Sequence, residues 1–382
     1  ALLIDELSKI VPTEAEELPV QNSNDPELPT GANYFTVKIG GQVLVDTYDY
    51  ETLKCVAREN KVNQSDMDGL YDVKWEKTGN SFKAGASSMS GTLKALFDIR
   101  DGNNGENFTG EARVIDSKHV KVVSPSITDI EAMTVPESGT LTIYGKDYNY
   151  TNFTFETDAN GKITSYTFEL EDALSQQQSN KVDGMQASIG SSVDTMGVPY
   201  YMSQMNQFLR SFCSLFNDIM LKGQDLDGNA TDYYSFFTGA DQVTGEEYVL
   251  GKSDKNHGSS YYKLTASNIC VSSICVKDSS KLAAQYKADT EEGVDKYKLV
   301  EDLAKLKSDT VLFRAGNASG FLKCMISDIS IDTQQSTIFS NNYTNIQAAL
   351  ETQRMSVSGV DEDEEALDLI KFQNAYNLSS KM

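Results

Sequence analysis

Apolar residues recur every three or four positions through Met202, Met205, Phe208, Leu209, Phe212, Leu215, Phe216, Ile219 and Met220, the spacing of one face of an amphipathic helix. Pro199 suits its first turn. The pattern predicts a long helix with this stripe buried. Further on, Leu322, Met325, Ile329, Phe339, Tyr343, Ile346, Leu350 and Val357 fall on a seven-residue frame that also admits Asp332, Ser336 and Gln353. The polar interruptions argue against an ideal two-stranded coil, yet lateral helix packing requires just such a seam. From Leu322 to Ser356 the helix would run about 50 Å at roughly 1.5 Å per residue. Gly359 then supplies a residue tolerant of positive φ where a helix stops. The acidic run Asp361 to Glu365 places carboxylates on the first turn of a new helix, where the dipole favours them. Two long helices meeting end to end are expected.

Other segments alternate with period two. Tyr34 to Val45 does so about a Gly40-Gly41 pair, which predicts a hairpin. Leu141 and Ile143, then Tyr148, Tyr150, Phe153 and Phe155, then Tyr166, Phe168 and Leu170 have the texture of a small β domain, with Asn160-Gly161 as a turn. Residues 12–32 read as a polar linker, and Gln176 to Gly190 as a return linker. Leu2 to Val11 is helical in spacing and lacks the basic and apolar regions of a signal peptide. Because position 1 is not Met and the helical pattern is already under way, the true N-terminus is expected upstream. Gly91 to Asp101 and Val294 to Lys307 also read as helices, and Leu264 to Val276 as an extended segment.

Composition narrows the function classes. The 382 residues suffice for two or three domains, and 39% apolar content with 7 prolines is ordinary for a folded protein. A formal charge of −23 opposes nucleic acid and anionic lipid as partners, since both need clustered Lys and Arg. No run of 18 apolar residues suggests a transmembrane helix. Five cysteines, Cys55, Cys213, Cys270, Cys275 and Cys324, are too few and too scattered for a disulfide framework, so buried reduced thiols are expected, with a Cys270–Cys275 bond open.

Catalytic chemistry finds little support. The two histidines, His119 and His257, belong to no HExxH, Cys-His or triad pattern, and no phosphate-cradling glycine motif occurs. Asp225-x-Asp227-Gly228-Asn229 superficially suggests a calcium loop. Its glycine comes two places early for an EF-hand and its twelfth position is Phe236, so a turn is the better reading. No catalytic residue, cofactor or metal is expected.

The segment Arg354 to Tyr376 resembles the near C-terminal signature of the flagellar hook-associated protein 1 (hook-filament junction protein) family. That family has an Arg-x-Ser-x-Ser-Gly-Val turn, an Asp-Glu-Glu helix and a Phe-Gln-x-Ala-Tyr stretch. Here these are Arg354, Ser356, Ser358, Gly359 and Val360, then Asp363, Glu364 and Glu365, then Phe372, Gln373, Ala375 and Tyr376. The hairpin near 34–46, the Gly91 to Asp101 helix, the helix from Pro199, and the loop Gly223 to Asn229 with Phe236-Phe237-Thr238-Gly239 also resemble family segments.

This resemblance implies an α+β multidomain chain: an elongated discontinuous helical bundle built from both chain ends, with inserted mainly-β material. Residues 1–103, 191–239 and 320–382 would form the helical core, 104–190 an inserted small β domain, and 240–319 a mixed α/β segment or outer domain. It further implies a non-enzymatic structural component of the bacterial flagellum that joins hook to filament. Such a protein is extracellular and leaves through the flagellar type III export apparatus without a cleaved signal peptide.

The implied partners are further copies of itself in a ring, the hook protein, the second junction protein, and an export chaperone acting through a missing C-terminal segment. With both terminal coils of the family missing, this stretch is expected to be a soluble monomer. The residues expected to carry packing and assembly are Arg354, Ser358, Gly359, Val360, Glu364, Leu369, Phe372, Gln373 and Tyr376, together with Phe208, Phe212 and Phe216. In a flagellar setting Asn-x-Ser/Thr sites such as Asn107, Asn149, Asn152 and Asn342 are chance occurrences. A rival reading is a cell-surface binding module whose aromatic run Tyr148, Tyr150, Phe153 and Phe155 captures a glycan or host protein.

Overall fold

A computed structural model describes residues 2–21, 29–241, 244–250, 260–287, 297–308, 316–359 and 362–381. The chain divides into two compact units, Ala1–Ala318 and Ser319–Met382.

The first unit opens with α1 (Leu2–Ile10) and an antiparallel sheet ordered β1-β2-β3-β4, from β1 (Thr13–Gln21), β2 (Pro29–Ile39), β3 (Gln42–Asp46) and β4 (Asp49–Tyr50). Gly40 and Gly41 both take positive φ in the β2–β3 turn. β5 (Leu53–Ala57) pairs with β6 (Tyr71–Trp75), and α2 (Thr92–Asp101) follows. Leu7 and Val11 from the α1 end, Ile39, Trp75, Phe82, Met89, Leu93 and Phe97 close one core over these elements. The expected polar linker over 12–32 is therefore largely strand. β1 owes its conformation to backbone pairing with β2, Thr13 opposite Ile39 through Gln21 opposite Pro29. Its Glu14, Glu16, Glu17 and Pro19 leave no apolar alternation to read and discourage further strand addition at the sheet edge.

Next comes a closed barrel made of β7 (Phe108–Val114), β8 (His119–Val123), β9 (Gly139–Ile143), β10 (Lys146–Thr157), β11 (Ile163–Leu170) and, after α3 (Gln176–Val182), β12 (Gln186–Ile189). The order around it is β10-β11-β8-β7-β12-β9, every neighbouring pair antiparallel. Alternate residues turn inward, so Phe108, Ala112, Val120, Val122, Leu141 and Ile143 meet a packed set of rings. Phe168 lies 4.9 Å from Tyr150 and 5.5 Å from Phe108, both edge-on. The segment expected to be a return linker holds the strand that closes the barrel: Ala187 and Ser188 of β12 stand between Gly110 and Thr109 of β7 and Ile143 and Thr142 of β9. Four residues with two buried positions, Ala187 and Ile189, are too short a pattern to stand out from a polar sequence.

Chain enters and leaves the barrel side by side. Asn103 bridges Met196, the Asn104 amide donates to Thr195 O at 2.9 Å, and the Gly197 and Tyr200 amides donate to Gly102 O at 3.1 and 3.2 Å. The end of α2 thus receives amides from the start of α4 (Val198–Met220). A Cβ on Gly197 would sit 2.5 Å from Asp98 O and Ile99 O, and one on Gly102 would sit 2.6 Å from Gly197 N, so only glycines allow this approach.

The rest of the unit packs on α4. β13 (Gly223–Gln224) pairs with β16 (Gln285–Tyr286), and β14 (Phe237–Gly239) with β15 (Ile269–Val271). Between them lie a 3₁₀ turn at Tyr261–Lys263 and α5 (Ser273–Lys277), and α6 (Lys298–Lys305) follows. Leu299 of α6 packs with Met220 and Ala283, while Leu264 and Tyr261 pack with Cys213. The second unit consists of α7 (Ala318–Ser358) and α8 (Glu362–Ser379).

The expected elongated discontinuous helical bundle is not what this chain forms. It is 37% helical and 27% strand, contains a closed six-stranded barrel, and separates residues 319–382 from the compact unit that holds α1 and α4. The physical reason is where the helices put their inner faces. α1 and α2 pack with strands and turns, and α4 packs with α2, α6, β14 and the 3₁₀ turn.

Candidate assembly surface

α7 is 41 residues long, about 60 Å at roughly 1.5 Å per residue. From Phe321 to Ser358 it holds no Gly or Pro. The hydroxyls of Thr333, Thr337, Thr344 and Thr352 each donate to the carbonyl four residues back, which satisfies them without leaving the helix. The seam predicted from the sequence is present as a row of side chains but lies open. Ile329, Phe339, Tyr343, Ile346, Leu350 and Val357 are all exposed, Val357 to 85%.

The expected site residues of this region fall as follows. Arg354 is exposed on α7, and Ser358 is its last residue. Gly359 follows, its amide donating to Met355 O at 2.7 Å. Its φ is not positive; the glycine is needed instead because a Cβ there would stand 2.3 Å from Met355 O. Val360 lies outside the described residues. Glu364 sits among four acids in the first turn of α8, as the dipole favours. Leu369, Phe372, Gln373 and Tyr376 are exposed on α8, Phe372 to 73%. Exposed helices gain little from packing within the chain, since single helices draw most of their stability from covered faces.

Phe208, Phe212 and Phe216 belong to the first unit. Their rings follow one another along α4 at 6.0 and 6.1 Å, and Phe216 packs on Phe236 at 5.1 Å and Phe237 at 4.8 Å. All three are half-buried, as is most of the apolar stripe. The fully buried side of α4 is a different one, formed by Asn206, Arg210, Cys213, Asn217 and Met220.

At about 3.6 residues per turn this polar seam lies roughly a third of a turn from the centre of the stripe. It is buried because the segments against it are irregular backbone that needs donors and acceptors. Asn206 donates to Ser65 Oγ at 2.7 Å and accepts from the Ala266 amide at 2.9 Å. Asn217 donates to Phe237 O at 2.8 Å and accepts from the Phe237 amide at 2.9 Å. Sequence reasoning missed this seam, although the 4-3-4 spacing of residues 206, 210, 213 and 217 was a legible signal.

Elsewhere the structure builds charge clusters that brace rather than bind. Arg58 pairs with Asp72 at 2.9 Å and Asp101 at 3.1 Å, Arg100 also reaches both carboxylates, and together they tie β5, β6 and α2. Asp225 is buried inside its own turn. It accepts from the Asp227 and Asn229 amides at 3.0 and 2.7 Å, and Lys281 Nζ lies 3.5 Å away. Burial pushes its pKa up, but the Asn229 amide and Lys281 outweigh that and hold the carboxyl below its ordinary value.

All five cysteines are free, which excludes the Cys270–Cys275 bond. Burial raises the Cys213 thiol to about 12 and leaves it inert. His119 is half-buried, its Nδ1 2.8 Å from Asp116, and His257 lies outside the described residues. Among the described residues no group of three or more His, Cys, Asp or Glu could hold a metal ion, and no helix is long and apolar enough to cross a membrane. Of the aromatic run offered as a glycan platform, Tyr150 and Phe153 are barrel core and Tyr148 and Phe155 pack against it. No family model matches the chain, and no curated protein does.

Proposed function

We propose that this chain is a non-enzymatic structural subunit of the bacterial flagellum, a hook-filament junction protein that acts outside the cell by packing long helices against neighbouring subunits. The reading rests on the resemblance of Arg354 to Tyr376 to the junction-protein signature. The observation that carries it is the row of exposed apolar side chains along α7, Phe339, Tyr343, Ile346 and Leu350, with Leu369, Phe372 and Tyr376 exposed on α8. Contiguous apolar surface of that extent marks a place where another surface belongs. By the same resemblance the covering partners are further copies of the chain, the hook protein and the second junction protein. Nucleic acid and membrane are not among them.

The test mixes the chain with purified hook protein and with the second junction protein, and follows association by mass photometry. Specific complexes are expected, and Ile346→Asp with Leu350→Asp should abolish them while the circular dichroism spectrum stays helical. No complex with either partner, or complexes indifferent to the double substitution, defeats the proposal.

A further inference from the structure

Among the described residues of the first unit Arg210 is the most deeply placed charge, 1% exposed, and no carboxylate among them forms an ion pair with it, that of Glu131 acting only through space. Its Nε donates to Leu264 O at 2.8 Å, its Nη1 to Glu131 O at 2.8 Å and Met133 O at 2.7 Å, and its Nη2 to Gln64 Oε1 at 2.6 Å. Gln64 extends the linkage. Its Nε2 donates to Tyr262 O and its amide to Thr134 O, both at 2.8 Å. One guanidinium and one amide side chain therefore tie three separate stretches to α4: the loop around Gln64, the barrel segment that carries Ile130, Met133 and Val135 into the barrel core, and the turn around Tyr262.

Packing alone does not require a charge here. A methionine fills similar space, and a buried cation without a carboxylate is an unfavourable choice unless its donors are needed. Burial pushes the Arg210 pKa down to about 9, a measure of how poorly the site solvates it. What the guanidinium does that no apolar side chain can do is donate in several directions at once. Tyr262 reinforces the joint from the other side of the linkage. Its ring belongs to the barrel core, 5.7 Å from Phe153 and 5.8 Å from Phe155.

We infer that Arg210 is the pin of a rigid joint that holds the barrel in one orientation on α4, and that removing it loosens the joint while the barrel stays folded. The barrel is also held at the neck, where Asn103 donates to Ser191 O at 2.9 Å and accepts from the Val193 amide at 2.9 Å, and by side chains on its flank: Asn60 donates to Thr140 Oγ1 and Asn149 Oδ1 at 3.0 and 3.1 Å, and Lys263 pairs with Glu137 at 2.8 Å. Two chain segments joined by a single bridge and a few polar side-chain contacts at the surface permit twisting and rocking. The pin removes that freedom. The strands pair all the way round, and every buried residue of the core cluster except Tyr262 comes from residues 108–189, so the barrel keeps its fold without the joint.

Arg210→Met in the 382-residue chain tests this by residue-resolved amide hydrogen exchange. The joint amides of Gln64, Met133 and Ala266 should exchange at least about tenfold faster, while barrel-strand amides such as Val120 and Phe168 stay within about twofold of the parent. Unchanged exchange at the joint overturns the inference. So does equal loss of protection in the barrel strands, which would make Arg210 an ordinary core residue. If Arg210→Met yields no folded chain, Gln64→Ala decides. The same local pattern at about threefold or more supports the pin, and an unchanged or uniform response overturns it.

Discussion

Phe153, Tyr166 and Phe168 in the barrel are each 5% exposed or less, whereas Phe339, Phe372 and Tyr376 in α7 and α8 are 59%, 73% and 76% exposed. Both regions carry large apolar side chains at the spacing of their own secondary structure. The difference is closure. Six antiparallel strands turn one face of each toward the others, so every inward ring finds partners inside the same stretch of chain. A long helix presents its seam outward along tens of ångströms and cannot fold back on itself. Apolar periodicity therefore states that a face wants burial, and says nothing about whether the cover lies in the same molecule.

The sharpest way to break this comparison is a matched pair of truncations. Phe168→Ala removes a ring packed edge-on to Phe108 and Tyr150 and stacked on Tyr166 and should destabilise the first unit by ~3–5 kcal/mol in denaturant unfolding. Phe372→Ala in α8 should change the stability of the isolated chain by less than ~0.5 kcal/mol. Equal effects would mean that α8 is covered within the chain after all.

A smaller effect is expected at the neck. Gly197→Ala puts a methyl group against the carbonyls of Asp98 and Ile99 and should lower stability by ~1–3 kcal/mol, read as a lower midpoint with unchanged exchange in α7.

Acid should open the Asp225 turn. The folded pKa of Asp225 lies below its ordinary 3.8, so its stabilisation is present above that value and fades as pH falls through the folded pKa. Asp225→Asn should remove the pH dependence of the Asn229 amide's exchange in this window. An unchanged acid response in Asp225→Asn would show that the carboxylate does not hold the turn.

The smallest change should come from Leu350→Ser, which should leave monomer stability within ~0.5 kcal/mol. If it destabilises the monomer strongly, the seam on α7 is already buried and the contrast with the barrel collapses.

Much of the local structure was legible. The Gly40-Gly41 turn, the α4 helix and the helix from Ala318 to Ser358 follow from turn chemistry and spacing that act over a few residues. The exposed row on α7 was legible as a seam, and Gly359 as a stop, although for close approach to Met355 O and not for its φ. β1 and β12 were not legible. Each is a strand because a distant strand pairs with it, and backbone pairing leaves no mark on side-chain pattern.

α4 is the clearest case of what periodicity could not decide. Its strongest apolar stripe is half-open, and its buried side is the one bearing Asn206, Arg210 and Asn217.

The chain's own order of residues determined where the long helices run, which strands alternate, and that no nucleotide-cradling or metal-binding sequence motif was in view, while the short helices at Gln176–Val182 and Ser273–Lys277 lie where the pattern reads as linker and extended segment. Those properties depend on dihedral preferences and neighbours a few positions away. Tertiary structure alone decided which face of α4 goes inside, that β12 closes the barrel, and that a buried arginine joins barrel to helix. Burial and hydrogen-bond satisfaction are sums over atoms far apart in sequence, so they exist only once the chain has folded.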